Sequence, residues 1–365
     1  MAWLVVLLLP ILAIVQAIAA AVAATTRTSL QQAILRKYGR VPASICAVSI
    51  VCISLLTLSA DVQAGSEALT LLSGVPFYYF VLPLVAVMGW LLATKSYLKI
   101  ERTLAWLTLI FLCYVGSAIY ARPDWSAVLR GIVAPHLAMT PVFLGGAVAL
   151  LGTTLTSYVY FWESIELAER RTNGAHVRAA QADAAIGMLV AGSSFLFILI
   201  ATAATLGQHH APIETAAQAA GALRPLAGVW DQALFAVGLL ASAAIAIPVI
   251  AATNGYVVAQ TLGANAGLTL TTDRAKLFYG TIFASLAMGG ALAILPLPTI
   301  AFLYWASVAA GLATPITLAF AVLVAQNREA MLGRPISRFL AAGGWSVTCI
   351  VTIASIGFIA SLVMR

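Results

Sequence analysis

Residues 143–166 read FLGGAVALLGTTLTSYVYFWESIE and carry the pattern that decides the fold. The stretch opens as a continuous apolar run that, with its flanks, is long enough to cross the hydrocarbon core of a bilayer. A cluster of hydroxyl side chains interrupts it after Gly152, and it ends in glutamates spaced three residues apart. Together these features predict a membrane-spanning segment with a polar interruption near its centre.

Apolar runs of the same kind recur along the whole chain. Ten of them, separated by Pro, Gly and charged residues, lie at 2–24, 43–73, 77–97, 103–121, 137–162, 184–207, 228–253, 277–295, 299–325 and 339–363. Of the 365 residues, 62% are hydrophobic and 8% are charged, against roughly 45–50% and 25% in soluble domains. Membrane barrels show alternating segments of about ten residues instead. We predict an all-α, polytopic membrane protein with about ten transmembrane helices, forming a single domain over residues 1–365.

The net charge of +7 is distributed unevenly along the chain. If the ten runs cross the bilayer alternately, 15 of the 19 Lys and Arg residues fall on one side. Basic loops remain in the cytoplasm and set the orientation of membrane proteins. The excess of positive charge therefore indicates topology and not nucleic-acid binding. It predicts a multi-pass protein of the plasma (inner) membrane with both termini outside.

The interruption after Gly152 has two interpretations that the residues leave open. In the first, the helix unwinds and exposes carbonyls that can ligate a cation, as in transporters built on discontinuous helices. Glu163, Glu166 and Glu169 then share one helical face and relay protons or ions. In the second, the helix is continuous, its Ser and Thr side chains bond to their own carbonyls, and the glutamates cap a charged loop.

Asp61 lies in the second run and also has two interpretations. If a helix spans about residues 45–73, the carboxylate lies near mid-membrane, where a charge costs about 2.5–3.5 kcal/mol on insertion scales. An ionisable residue at that depth is usually functional. Alternatively, the helix ends at Ala60, and Asp61 and Glu67 lie in a solvated loop.

Three segments carry a resemblance to a known family. GTTLTSYVYFWE at 152–163 resembles the sixth helix of a bacterial branch of the natural resistance-associated macrophage protein (NRAMP) family of divalent-metal transporters. ILIATAATL at 198–206 and IETAAQAAGALRPLAG at 213–228 are similar to the seventh helix and the loop after it. The resemblance implies a LeuT-like inverted-repeat transporter scaffold, with the ten runs matching helices two to eleven.

The first helix of the family, with its Asp-Pro-Gly/Ser motif, has no counterpart in the ten runs. We expect upstream sequence to encode it. We also expect an open groove beside the fifth run where that helix belongs, lined by small residues and by Thr153 and Thr156.

The resemblance also implies roles for individual residues. Thr153 matches a position whose carbonyl faces the metal, and Thr156 stands where many members have a methionine ligand. A hydroxyl at that position favours a harder ion, such as magnesium or manganese. Asp61 resembles an acidic position linked to proton movement, and Arg170 an arginine at the end of the sixth helix. With Glu163 and Glu166, which come from the shared helical face, the expected proton pathway is Asp61, Glu163, Glu166 and Arg170.

The leading hypothesis is a divalent metal cation transporter of the manganese, iron or magnesium class, which works by alternating access and not as an enzyme. Its partners would be the divalent metal ion as substrate, protons if transport is a symport, and the lipid bilayer, with no cofactor. Ser157 and Tyr158 replace the proline and histidine of better-known members. A non-transporting membrane scaffold or partner that has lost the ion site is therefore one alternative, and an organic-solute transporter on the same scaffold is another.

Overall fold

The computed structural model describes residues 2–94, 111–134, 137, 140–169, 177–207, 213 and 215–363. Within these ranges, every regular element is helical. The α-helices are α1 (Ala2–Thr26), α2 (Leu30–Tyr38), α3 (Arg40–Ser73), α4 (Tyr78–Ala93), α5 (Leu112–Tyr120), α6 (Trp125–Val133), α7 (Pro141–Thr154), α8 (Ser157–Glu169), α9 (Val177–Thr205), α10 (Ala216–Ala220), α11 (Arg224–Ala227), α12 (Asp231–Leu262), α13 (Lys276–Ala293), α14 (Thr299–Gln326) and α15 (Arg338–Val363).

Eight helical segments in the described part of the chain are long and apolar enough to cross a membrane. They correspond to eight of the ten apolar runs, and the pair α7–α8 counts as one of them. The third run forms the shorter apolar helix α4, and the fourth run lies partly outside the described residues. The prediction of an all-α, multi-pass membrane protein is confirmed.

Helix α2 lies between the first two apolar runs, where no helix was expected. Its N-cap Ser29 accepts a hydrogen bond from the backbone N–H of Gln32, and its C-cap Gly39 has φ = +83°. The N–H of Leu30 donates to Ser164 Oγ of α8 at 3.0 Å, and Ser29 Oγ donates to Gln260 Oε1 of α12 at 2.6 Å. The helix therefore packs inward against two membrane-spanning segments.

Helix α3 is the centre of the packing because it contacts α12, α13 and α14 along its length. Gly65 illustrates how closely these helices approach, since a Cβ there would lie 2.9 Å from the Cβ of Ala243 in α12. Small residues allow such close contact between helices in lipid. On the other side of the molecule, α1 packs against α9 and α8, and α14 packs against α7 and α15. The α7–α8 pair thus lies between α1 and α14.

Candidate functional site

The span formed by α7 and α8 is broken at Leu155 and Thr156. Helix α7 ends at Thr154, Leu155 has φ = −105° and ψ = 23°, and α8 begins at Ser157. The first backbone bond beyond the break runs from the N–H of Val159 to the Thr156 carbonyl at 3.0 Å, an i to i+3 contact. Of the two interpretations that the sequence left open, the interrupted helix is confirmed and the continuous helix is wrong.

The Thr156 side chain supplies a hydrogen bond that the interrupted backbone lacks. The last carbonyls of a helix have no partner of their own. Thr154 Oγ1 donates to the Leu150 carbonyl at 2.7 Å, and Thr156 Oγ1 donates to the Gly152 carbonyl at 2.6 Å. Hydroxyl side chains compete with the helical bonding pattern in this way. The break is therefore a polar centre, rich in oxygen atoms, inside an apolar span.

Glycines fix the position of the break against α14. A Cβ on Gly152 would lie 1.9 Å from the Ser307 carbonyl oxygen, and one on Gly311 would lie 2.5 Å from the Val148 carbonyl oxygen. Both obstacles are backbone atoms, which cannot move aside as a flexible side chain can. Helices α7 and α14 are thus in direct backbone contact one turn before the break.

The two predicted metal-binding threonines have different surroundings. Thr153 is exposed to a cavity of about 680 Å³ between α1, α7 and α9. Small residues line part of this cavity, among them Gly187, Ala191 and Gly192 of α9. Thr156 is 3% exposed and lies away from the cavity wall. The cavity lies beside the fifth run with Thr153 in its wall, but the expectation that Thr156 also lines it is wrong, because the Thr156 hydroxyl points back to the Gly152 carbonyl.

Asp61 lies within the continuous helix α3 and is followed by five buried residues, 62–66. The alternative in which a helix ends at Ala60 is therefore wrong. The side chain is half-buried, and its carboxyl group is close enough to the Tyr158 hydroxyl of α8 for the two groups to interact electrostatically. Asp61 thus faces the helix that follows the break.

The glutamates of α8 lead away from the break towards the end of the span. Glu163 and Glu166 are half-buried. Glu169, in the last turn, accepts a hydrogen bond from the Tyr256 hydroxyl of α12, and the same hydroxyl accepts from the N–H of Leu268 at 3.0 Å. Arg170 lies outside the described residues. The spacing of the glutamates indicated a shared face but not this connection to α12.

Acidic, histidine and cysteine side chains do not gather into a metal cluster in the described ranges, where no three of them come together. A cation at the break would depend on hydroxyl and carbonyl oxygens, which are the ligands that hard cations such as magnesium and manganese prefer.

The family can be assigned from the whole chain. A sequence profile described as natural resistance-associated macrophage protein-like matches residues 1–361. The chain belongs to this family. The broken span, confirmed here, is the segment in which the family resemblance was first visible.

Two relatives of the chain are named divalent metal cation transporters. The chain is 32% identical over 255 residues to a Xylella fastidiosa protein named divalent metal cation transporter MntH, a match that covers 65% of this chain and 53% of the relative. A Caldanaerobacter subterraneus protein of the same name is 31% identical over 139 residues, covering 36% of this chain and 33% of that protein. The chain spans about half the length of the first of these curated relatives.

Solved structures confirm the inverted-repeat transporter fold. The manganese transporter of Eremococcus coleocola superposes with a TM-score of 0.72 at 18% identity, covering 99% of this chain and 80% of that one. MhsT in complex with L-phenylalanine superposes with a TM-score of 0.61 at 15% identity, covering 98% of this chain and 90% of that one. At these identities the likeness is one of fold.

Two threonines that contact the break were not predicted. Thr314 Oγ1 of α14 lies 3.2 Å from the Leu155 carbonyl oxygen, and Thr317 Oγ1 lies 2.6 Å from Ser157 Oγ. The sequence gives no local signal for them, since about 160 residues separate each pair.

Proposed function

We propose that this NRAMP chain forms the cation pathway of a divalent metal transporter of the manganese, iron or magnesium class, in the plasma (inner) membrane. The observation that carries the proposal is the break at Leu155 and Thr156. It brings carbonyl and hydroxyl oxygens together inside a membrane span and next to a cavity. The names of the relatives, divalent metal cation transporter and manganese transporter, support the same assignment.

The chemistry of the break favours a hard cation as substrate. We assign the Thr153 carbonyl and the Thr156 hydroxyl to the ion. Thr156 Oγ1 donates to the Gly152 carbonyl and also lies 3.3 Å from the Thr153 carbonyl oxygen, so the two assigned oxygens are neighbours. Removing a divalent ion from water requires several oxygen ligands, and unwound backbone in discontinuous helices supplies such ligands in transporters. Movement of α8 relative to α7 at this point would expose the ion to one side of the membrane and then to the other.

Uptake into proteoliposomes tests the proposal. The chain is reconstituted, and uptake of Mn²⁺, Fe²⁺ and Mg²⁺ is compared with empty vesicles. We expect uptake that is greatly reduced in Thr153→Gly, which loosens the backbone at the break, and unchanged in Thr352→Val, whose hydroxyl donates only within α15 to the Thr348 carbonyl at 2.7 Å. If the chain neither takes up nor binds any of these ions, the proposal is contradicted and a scaffold role is favoured. Uptake of amino acids alone would instead favour an organic-solute transporter.

Proton coupling is a second part of the proposal. Asp61 faces α8 beside Tyr158, and Glu163 and Glu166 continue along α8, so these carboxylates together with Arg170 could carry protons during transport. Asp61→Asn should leave the folded protein intact and change the dependence of uptake on pH. An uptake profile identical to that of the wild-type chain between pH 5 and pH 8 would remove Asp61 from the pathway.

A further inference from the structure

Two hydroxyl groups on α14 contact both sides of the break. Thr314 and Thr317 are fully buried and lie three residues apart, so their side chains occupy neighbouring turns of one helix face. Thr314 contacts the carbonyl of Leu155, inside the break, and Thr317 contacts Ser157 and Tyr160, in the first turn of α8. A single helix face therefore holds the irregular backbone and the start of the next helix.

The hydrogen-bonding capacity of Thr317 is fully used. A hydroxyl group can donate once and accept twice. Thr317 Oγ1 donates to the Thr314 carbonyl at 3.1 Å, and it lies 2.6 Å from both Ser157 Oγ and Tyr160 Oη. Either hydroxyl of each of these two pairs can be the donor, and Tyr160 Oη also lies 3.4 Å from Ser157 Oγ. Without the Thr317 hydroxyl, two buried hydroxyl groups on α8 would lose a hydrogen-bond partner.

Thr314 has one proton and two acceptors within reach. Its Oγ1 lies 2.8 Å from the Ala310 carbonyl oxygen in its own helix and 3.2 Å from that of Leu155. The Leu155 carbonyl therefore shares the Thr314 proton with the Ala310 carbonyl. Because a carbonyl oxygen has two lone pairs, the Leu155 oxygen can also contact another partner.

The backbone of α14 is itself weakened at this level. Pro315 has no N–H and so cannot donate to the carbonyl of Gly311, four residues earlier. Ser355 of α15 lies 3.4 Å from that carbonyl oxygen and donates to it instead. Helix α14 therefore depends more on side-chain contacts with its neighbours than a helix with a complete set of backbone hydrogen bonds does.

We propose that Thr314 and Thr317 are positioning residues, which hold Leu155 and the first turn of α8 so that the Thr153 and Thr156 oxygens keep the arrangement that a cation requires. The expected consequence, a change in cation affinity, rests on the proposed function. The hydroxyl groups act through the backbone of the break and do not touch the ion.

Amide hydrogen exchange in the absence of metal tests the positioning itself. Thr317→Val keeps the shape of the side chain and removes the hydroxyl. We expect faster exchange at residues 157–161 than in the wild-type chain. Thr348→Val is the matched control, since Thr348 is also buried and its hydroxyl donates only to the Gly344 carbonyl of its own helix at 2.9 Å. Thr317→Ser, which restores the hydroxyl, should return exchange to the wild-type rate.

Uptake kinetics test the consequence for the ion. In proteoliposomes, Thr317→Val should raise the apparent KM for Mn²⁺ by about tenfold, a factor that corresponds to ~1.4 kcal/mol, while the maximal rate changes much less. Thr317→Ser should restore the KM. A purely structural role would instead lower the amount of active protein, and hence the maximal rate, at an unchanged KM.

The outcomes separate the two proposals. Wild-type exchange at residues 157–161 in Thr317→Val, or an unchanged KM in a chain that transports, overturns the positioning role. If exchange is faster in Thr317→Val but the wild-type chain shows no cation uptake, the proposed function is overturned and only the structural contact remains. If Thr317→Val does not fold, Tyr160→Phe removes one of the two hydroxyl groups that contact Thr317, and a KM or exchange rate equal to wild type in that variant overturns the inference.

Discussion

Helix α3 and the α7–α8 span both carry several hydroxyl side chains inside the membrane, yet only one of them is broken. In α3, Ser59 Oγ donates to the Leu55 carbonyl at 2.6 Å and Ser66 Oγ to the Val62 carbonyl at 2.8 Å, both within the same helix. At the break, Ser157 and Leu155 have their partners on α14 instead. Hydroxyl content alone does not unwind a helix, and a neighbouring helix that offers partners for the released groups is also required.

The largest effect should come from Gly152→Ala. The added Cβ meets the Ser307 carbonyl oxygen, a backbone atom, and overpacking typically costs about 1–3 kcal/mol, occasionally more. We expect a cost at or above the upper end, seen as a clear fall in the melting temperature in detergent. Gly280→Ala in α13 is the control, because nothing lies within 4 Å of a Cβ there. Equal melting temperatures for the two variants would contradict the close contact between α7 and α14.

Tyr256→Phe should have the next largest effect and tests the far end of α8. It removes the donor to Glu169 and the acceptor of the Leu268 N–H. A buried donor left unsatisfied costs about 1–3 kcal/mol. We expect faster amide exchange at Leu268 than in Tyr79→Phe, a change at an exposed tyrosine. Unchanged exchange at Leu268 would show that α8 is not held to α12 through this hydroxyl.

A pair of serine substitutions compares the two spans directly. Ser157→Ala removes a contact between helices, and such contacts are worth about 0.6 kcal/mol on average and up to about 1.7 kcal/mol in membrane proteins. Ser59→Ala removes only a bond to its own helix, of a kind that slightly destabilises helices. Unfolding in a denaturant series should therefore show a loss for Ser157→Ala and none for Ser59→Ala. A loss of stability for Ser59→Ala and none for Ser157→Ala would contradict the comparison between the two spans.

The smallest effect concerns the ion pair between Lys37 of α2 and Glu329, which joins the segment before α3 to the segment after α14. The hydrogen bond and the charge of Lys37 lower the pKa of Glu329 below its ordinary value of 4.5. The contribution of this ion pair to the stability of the fold is therefore present at neutral pH and is lost as the pH falls through the lowered pKa of Glu329. Melting temperatures of the wild-type chain and Glu329→Gln should differ slightly at pH 7 and converge once the pH falls below the lowered pKa of Glu329. A difference that grows on acidification would contradict this assignment.

The sequence predicted the spans because apolar length, a local property, identifies a membrane helix. Gly152 followed by hydroxyl residues indicated a break but left a continuous helix open, because the groups released at the break have their partners on α14. Helix α2 was missed although its signals are present, since Ser29 and Gly39 are a typical N-cap and C-cap. Thr314, Thr317 and Tyr256 could not be predicted, because their roles depend on which helices become neighbours across long separations in the chain. No pattern within α12 or α14 carries that information.

The central claim is that the break at Leu155 and Thr156 holds the transported ion. The most direct measurement is a crystal structure of the chain grown with Mn²⁺, with anomalous diffraction used to locate the metal. We predict an anomalous peak within coordination distance of the Thr153 carbonyl and the Thr156 hydroxyl, with the break preserved and Thr314 and Thr317 in contact with it. A continuous helix through residues 150–160, or a peak elsewhere with none at the break, would contradict the account.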